Sequence, residues 1–213
     1  MSVTSRIAAE LYKGIPGSLF QRWRPAICPY EALMRCVPEG ASILDVGCGD
    51  GLFLGLLART GRIRSGMGFD SNDHSIARAE QMRHKLPTPN VLLFQQRDVS
   101  ADWPDGVFDV VSIVDVIHHV SPKVQRHVIE MAASRLKPGG LLVYKDMARR
   151  PVWRAWMNRL HDIVLTRTWI HYVPIMDVRR WLGAAGLEVA QEASFNMLWY
   201  RHDLLVARRA TDT

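Results

Sequence analysis

Cysteine is scarce in this chain: Cys28, Cys36 and Cys48 are the only three, and no CxxC pair exists. An odd, dispersed set excludes a disulfide framework and argues against a structural zinc site. Long apolar runs are missing as well. No stretch reaches the about 18 residues that a membrane-spanning helix needs. The opening "MSVTSRIAAELYKGIPG" lacks an apolar core followed by a cleavage site, so no export signal is read and a reducing cytoplasm is the expected location. Internal repeats, low-complexity tracts and Pro/Gly/Ser linkers are absent too, which leaves one continuous domain as the expectation for 213 residues. Lysine is also short, at five residues, so arginine dominates the cations. Lys+Arg 27 against Asp+Glu 21 gives a formal charge of +6. Such a balance fits nucleic acid, anionic lipid, an acidic protein partner or simply a solvated surface, and it says nothing about fold.

What is present is an alternation of short apolar runs with longer helical patterns, the signature of βαβ units around a parallel sheet. Strands are expected at Ser42–Val46, Gly66–Asp70, Val91–Asp98, Phe108–Asp115 and Leu141–Met147. Helices are expected at Leu52–Arg59, from a cap at Ser71 or Asp73 to about His84, and from Ser121-Pro122 to the breaker "LKPGG". Asp177 is expected to cap a short helix ending at Gly186. Leu187–Phe195 and Trp199–Arg208 then follow each other too closely for a crossover helix, so they must pair antiparallel.

The stretch "ILDVGCGDGLFL" places Gly47, Gly49 and Gly51 between the first strand and its helix. Glycine there permits unusual dihedrals and lets a ligand touch the main chain. In an open parallel sheet that location lies beyond the carboxyl ends of the strands, where ligands bind. A tight turn without a ligand is the plain alternative, but three glycines cost stability that such a turn does not require. Asp45, Asp70, Asp98 and Asp115 are expected at the same sheet edge. Singly, an acid at a strand end is usually a helix cap. Together they favour a ligand with hydroxyls, an amine and a positive charge over a pyrophosphate, which they would repel. A dinucleotide oxidoreductase fits less well, because the turn reads GxGxG rather than GxGxxG.

With these residues in view, the chain resembles a class I S-adenosylmethionine-dependent methyltransferase over about residues 41–209. "ILDVGCGDG", "GFD", "RDVS", "FDVVSIVDVIHHV" and "RLKPGGLLVYKD" are similar to that family's successive motifs. The resemblance implies a Rossmann-like three-layer α/β sandwich: seven strands, mostly parallel, the last one antiparallel. It implies S-adenosyl-L-methionine as cofactor, with Gly47 and Gly49 behind the methionine part. Asp70, followed by Ser71, would hold the ribose, Asp98 and Val99 would face the adenine, and the Asp115 region would line the sulfonium. Asp45 and Gly51 complete the expected cofactor set. Residues 1–40 are expected to form a helical cap over the pocket, and 41–213 the methyltransferase domain.

Methyl transfer is an in-line displacement governed by positioning, and a base is needed only when the acceptor must lose a proton. His118 and His119, beside the expected methyl donor, are the leading candidates for that base. Tyr30, Trp153, His161, His171 and Tyr172 are further candidates for touching the acceptor. No Asn/Asp-Pro-Pro-aromatic run follows the fourth strand and no Pro-Cys nucleophile exists, so methylation of nucleic-acid bases is disfavoured. Ribose or cap methylation of RNA stays open, as does a donor-binding module without activity. The segment at about 149–172, "RRPVWRAWMNRLHDIVLTRTWIHY", reads as a basic amphipathic insertion. It fits a lid, a peripheral foot on a membrane, a contact for an acidic carrier protein, or ordinary core packing. The expected acceptor is small and apolar, phenolic or lipid-like, methylated at oxygen, and no metal is expected.

Overall fold

The computed structural model describes residues 2–101, 103–147, 171–198 and 200–211. Most of the expected insertion, including Trp153 and His161, lies outside them. Seven strands form one sheet: β1 (Ala41–Val46), β2 (Ile63–Asp70), β3 (Leu92–Gln96), β4 (Phe108–Val114), β5 (Leu136–Met147), β6 (Leu187–Met197) and β7 (Tyr200–Arg209). Their order is β3-β2-β1-β4-β5-β7-β6. β1 to β5 pair parallel, and β7 alone runs against its neighbours β5 and β6. The hairpin expectation holds because the β6–β7 connection is too short for anything but a reversal.

Strand alternation divides the interior in two. Ile43, Val110 and Val143 enter one core with α1 (Val3–Leu11), α3 (Tyr30–Arg35), α4 (Leu52–Arg59) and α5 (Asp73–Arg83). Leu44, Val111, Leu142 and Tyr144 enter the other with α6 (Pro122–Ser134) and α7 (Ile175–Ala184). Helices on both faces make the three layers, and central strands buried on both faces read as continuous apolar runs. α2 (Leu19–Trp23) lies in the connection between α1 and α3. Strand order reverses between β1 and β4, so the crevice for a ligand opens at their carboxyl ends.

Some boundaries differ from expectation. Asn72, not Ser71 or Asp73, caps α5, its side chain accepting from the Ser75 amide. Pro174 precedes α7, and Asp177 sits in the first turn paired with Arg180. α6 stops at Ser134, and "LKPGG" belongs to β5, where pairing with β4 shifts register between Phe108 and Val110. Proline and two glycines serve a bulge there rather than a helix end. β3 and β4 stop before Asp98 and Asp115, which therefore lie on loops.

Candidate active site

The glycine turn is held by its neighbours. The Cys48 amide donates to the Phe69 carbonyl at 3.0 Å, and the Gly49 amide donates to Asp70 Oδ2 at 2.9 Å. All three turn glycines have positive φ, between 53° and 78°. A Cβ on Gly47 would lie 2.7 Å from Val116 Cγ2, and one on Gly51 2.7 Å from Phe94 Cζ. Gly49 differs: nothing lies within 4 Å of such a Cβ. There the main chain faces open space, in a cavity of about 910 Å³.

Gly47, Gly49, Asp70, Ser71, Asp98, Val99 and Asp115 all line that cavity, whereas Asp45 and Gly51 do not. Gly51 precedes α4 as its left-handed N-cap. Asp45 is buried beneath the turn, accepts from Ser112 Oγ at 2.6 Å, and burial raises its pKa to about 7. Asp70 also takes the Asn72 amide at 2.9 Å. Asp98 accepts from the Ser100 amide and hydroxyl, which lower its pKa. Behind Val99, the Trp103 indole donates to the Val99 carbonyl at 2.8 Å and packs edge-on to Phe69.

Asp115 corrects the simple picture of an acidic rim. It is a non-glycine residue at φ 59°, and its carboxylate meets Lys145 Nζ at 2.6 Å and Arg24 Nη2 at 3.5 Å. Burial opposes its charge, but Lys145 and then Arg24 hold its pKa below the usual carboxylate range. Lys145 itself is fully buried. The rim is therefore negative at Asp70 and Asp98 and neutralised at Asp115. Asp50 is likewise matched by a bidentate Arg78, both contacts at 2.9 Å.

The far side of the cavity is more apolar. Phe20 and Ile27 come from the N-terminal segment, Val120 and Val124 from the start of α6 and the turn before it, Met147 from β5 and Tyr200 from β7. Both histidines line it at the turn between β4 and α6. His118 is buried and its Nδ1 pairs with Asp146 Oδ1; His119 is exposed, its ring centroid 4.0 Å away. Desolvation and then His118 push the His119 pKa down to about 4. Asp115, His118 and Asp146 bring ligand atoms within 4.8 Å of one another, as a metal site would. In this structure Lys145 Nζ meets Asp115 and the His118 imidazole pairs with Asp146.

Tyr30 is outside the cavity lining: it is buried, stacks on Phe53, and its phenol pKa is raised by burial. The His171 amide donates to the His118 carbonyl at 2.8 Å, and Tyr172 packs by Met147 and Tyr200. Arg24, Lys145, Asp146 and Tyr200 are the site residues that motif reading missed. Arg24, Lys145 and Asp146 meet their partners 91, 30 and 28 residues away, so no local spacing announces them. Lys145 and Asp146 did carry a signal, as adjacent charges at the end of an otherwise apolar strand.

A seven-stranded sheet of this order, with a glycine turn and an acid ending β2, defines a nucleoside-type donor site of the class I methyltransferase kind. Residues 20–192 match the family described as "Methyltransferase domain", and the chain belongs to that family. A ubiquinone biosynthesis O-methyltransferase from Sodalis glossinidius (strain morsitans) is 29% identical over 120 residues, 55% of this chain and 45% of that protein. The chain thus spans about half the length of the curated relatives it matches. An O-methyltransferase family protein from Burkholderia thailandensis superposes with a TM-score of 0.75 at 23% identity, over 92% of this chain and 58% of that one. Magnesium protoporphyrin IX methyltransferase from Synechocystis PCC 6803 with bound SAH superposes at 0.71 and 20% identity, over 96% and 93%. At these identities the structures establish the fold.

Proposed function

We propose that this chain methylates an oxygen of a small apolar acceptor, phenolic or lipid-like. One observation carries the reading: a single cavity joins an open glycine turn with two acids to an apolar wall bearing a buried histidine. The curated relative named as an O-methyltransferase supports oxygen as the atom methylated.

The residues present fit S-adenosyl-L-methionine. Gly49 leaves room for a ligand against the main chain, Asp70 offers a carboxylate to ribose hydroxyls, and Asp98 with Val99 borders the adenine position. Arg24, lining the cavity, is suited to the methionyl carboxylate. When bound, the cofactor supplies an electrophilic methyl group on a sulfonium. The chain's own work is to seat the acceptor against Phe20, Ile27, Val124 and Met147, to exclude water, and to take a proton at His118. Leu19 and Trp23, 64% and 69% exposed on α2 beside Phe20, give an apolar approach to the mouth. Among the described residues no helix is long and apolar enough to cross a membrane.

The test is methyl uptake from labelled S-adenosylmethionine into catechol, a prenylated phenol, an acyl-chain alcohol and RNA. Label in a phenolic or aliphatic methyl ether is expected. Label confined to RNA, or to none of them while the cofactor binds, would overturn the acceptor class.

A further inference from the structure

We propose that Asp146 is the positioning residue that makes His118, and not its neighbour His119, the proton acceptor of the site. The inference rests on the acceptor being a hydroxyl, as proposed above. It starts from strand geometry. Lys145 and Asp146 are consecutive near the end of β5, and consecutive strand side chains point to opposite faces. Lys145 goes to Asp115, and Asp146 goes to His118.

Asp146 holds His118 twice. Oδ1 pairs with the ring Nδ1, and Oδ2 accepts the His118 backbone amide at 3.2 Å. The Met147 amide, at 2.7 Å from Oδ1, fixes the carboxylate in turn. The histidine turn is clamped from the other side as well. Gln125 Nε2 shares its two N–H groups among the carbonyls of Ile117, Val120 and His171, at 3.1, 3.2 and 3.0 Å. Ring and backbone are thus both immobilised, in a residue that is 2% exposed yet lines the cavity.

A carboxylate on Nδ1 selects the tautomer with the proton on that nitrogen, which leaves the basic lone pair on Nε2. As the acceptor oxygen bonds to the methyl carbon, the carbon–sulfur bond breaks and its electron pair stays on the donor sulfur. The hydroxyl proton passes to His118 Nε2, and Asp146 balances the imidazolium that results. Desolvation and the neighbouring His118 push the His119 pKa down to about 4. The charged and titratable groups around the pair are His119 on the same turn, Asp115 after β4, and Arg24 from the N-terminal segment. Tyr144, whose buried phenol donates to Asp146, and Lys145 lie on β5, Tyr200 and His202 on β7, and His171 with Tyr172 before α7. Lys145 and Arg24 engage Asp115, so Asp146, which also takes the Tyr144 phenol, is the carboxylate that pairs with the imidazole.

The test uses Asp146→Asn, His118→Gln and His119→Gln, with catechol and 4-nitrocatechol as acceptors and imidazole ¹⁵N spectra as a readout independent of turnover. In wild type the spectra should place the His118 proton on Nδ1, and in Asp146→Asn that preference should be lost. S-adenosylhomocysteine affinity should stay within about twofold in all three variants, which shows that the site is folded. Asp146→Asn and His118→Gln should slow catechol methylation about 100-fold. They should slow 4-nitrocatechol far less, since its more acidic hydroxyl ionises unaided. His119→Gln should change either rate only a few-fold. An unchanged His118 tautomer in Asp146→Asn, equal slowing of both acceptors, or a loss in His119→Gln matching His118→Gln would overturn the proposal. If wild type methylates neither phenol, the acceptor class fails instead, and the spectra still decide the pair.

Discussion

The two halves of the cavity are built differently. The donor half comes from consecutive strand ends, with its key groups at the last residue of β2 and within three residues of the ends of β1 and β3, and it is organised by backbone hydrogen bonds. The acceptor half is gathered from the N-terminal segment, the turn after β4, the end of β5 and the start of β7, and it is organised by buried ion pairs. The donor half therefore tolerates change in distant parts of the chain. The acceptor half depends on charges that are safe only while their partners are present.

The sharpest way to break this contrast is Asp115→Ala, which strands the fully buried Lys145 without its 2.6 Å partner. Loss of about 3–5 kcal/mol is expected in urea unfolding, because an unpaired buried charge is left behind. Adding Lys145→Met should recover part of it, since the two sites are coupled.

Asp45 gives the donor half its own weak point. Burial raises its pKa from 3.8 to about 7, so the folded chain holds this proton more tightly than the unfolded chain does. Its contribution is fully present below the unfolded pKa and is lost as pH climbs to about 7. Asp45→Asn, which has no proton to lose, should match wild type near pH 4 and exceed it near pH 8. The gap at the higher pH should be up to about 4 kcal/mol, at 1.36 kcal/mol per pKa unit, read from urea unfolding at both pH values.

A smaller effect is expected at the turn itself. Gly47→Ala puts a Cβ 2.7 Å from Val116 Cγ2 at φ 62°. The left-handed conformation alone costs about 1–2 kcal/mol. Val116→Ala should relieve the clash but not the dihedral cost, so thermal unfolding of the double variant should recover only partly.

The same contrast explains what the sequence disclosed. The donor half was legible because its pieces are local: three glycines in five residues, and Asp70 at the end of an apolar strand. The sheet was legible because alternation and the short final turn admit few topologies. Asp45 was placed on the right strand but at the wrong depth, since an acid two residues before glycine reads the same whether it lines a cavity or lies under it. "LKPGG" misled because proline and glycine break a helix and permit a bulge equally well. Arg24 reaching Asp115, and His118 reaching Asp146, are separated by 91 and 28 residues. No periodicity connects such pairs. The acid count at the rim misjudged the charge for that reason: the cations that neutralise Asp115 come from elsewhere in the chain.

The most direct test of the central claim, that this rim is a methyl-donor cradle hinged on Asp70, is calorimetry with S-adenosylhomocysteine. Asp70 accepts the Gly49 and Asn72 amides, each at 2.9 Å, so it shapes the turn and offers the ribose contact together. Wild type should bind one equivalent, and Asp70→Ala should bind about 100-fold more weakly or worse, as expected for losing two charge-assisted hydrogen bonds. Equal affinity in both proteins, or no binding heat in wild type, would contradict the account.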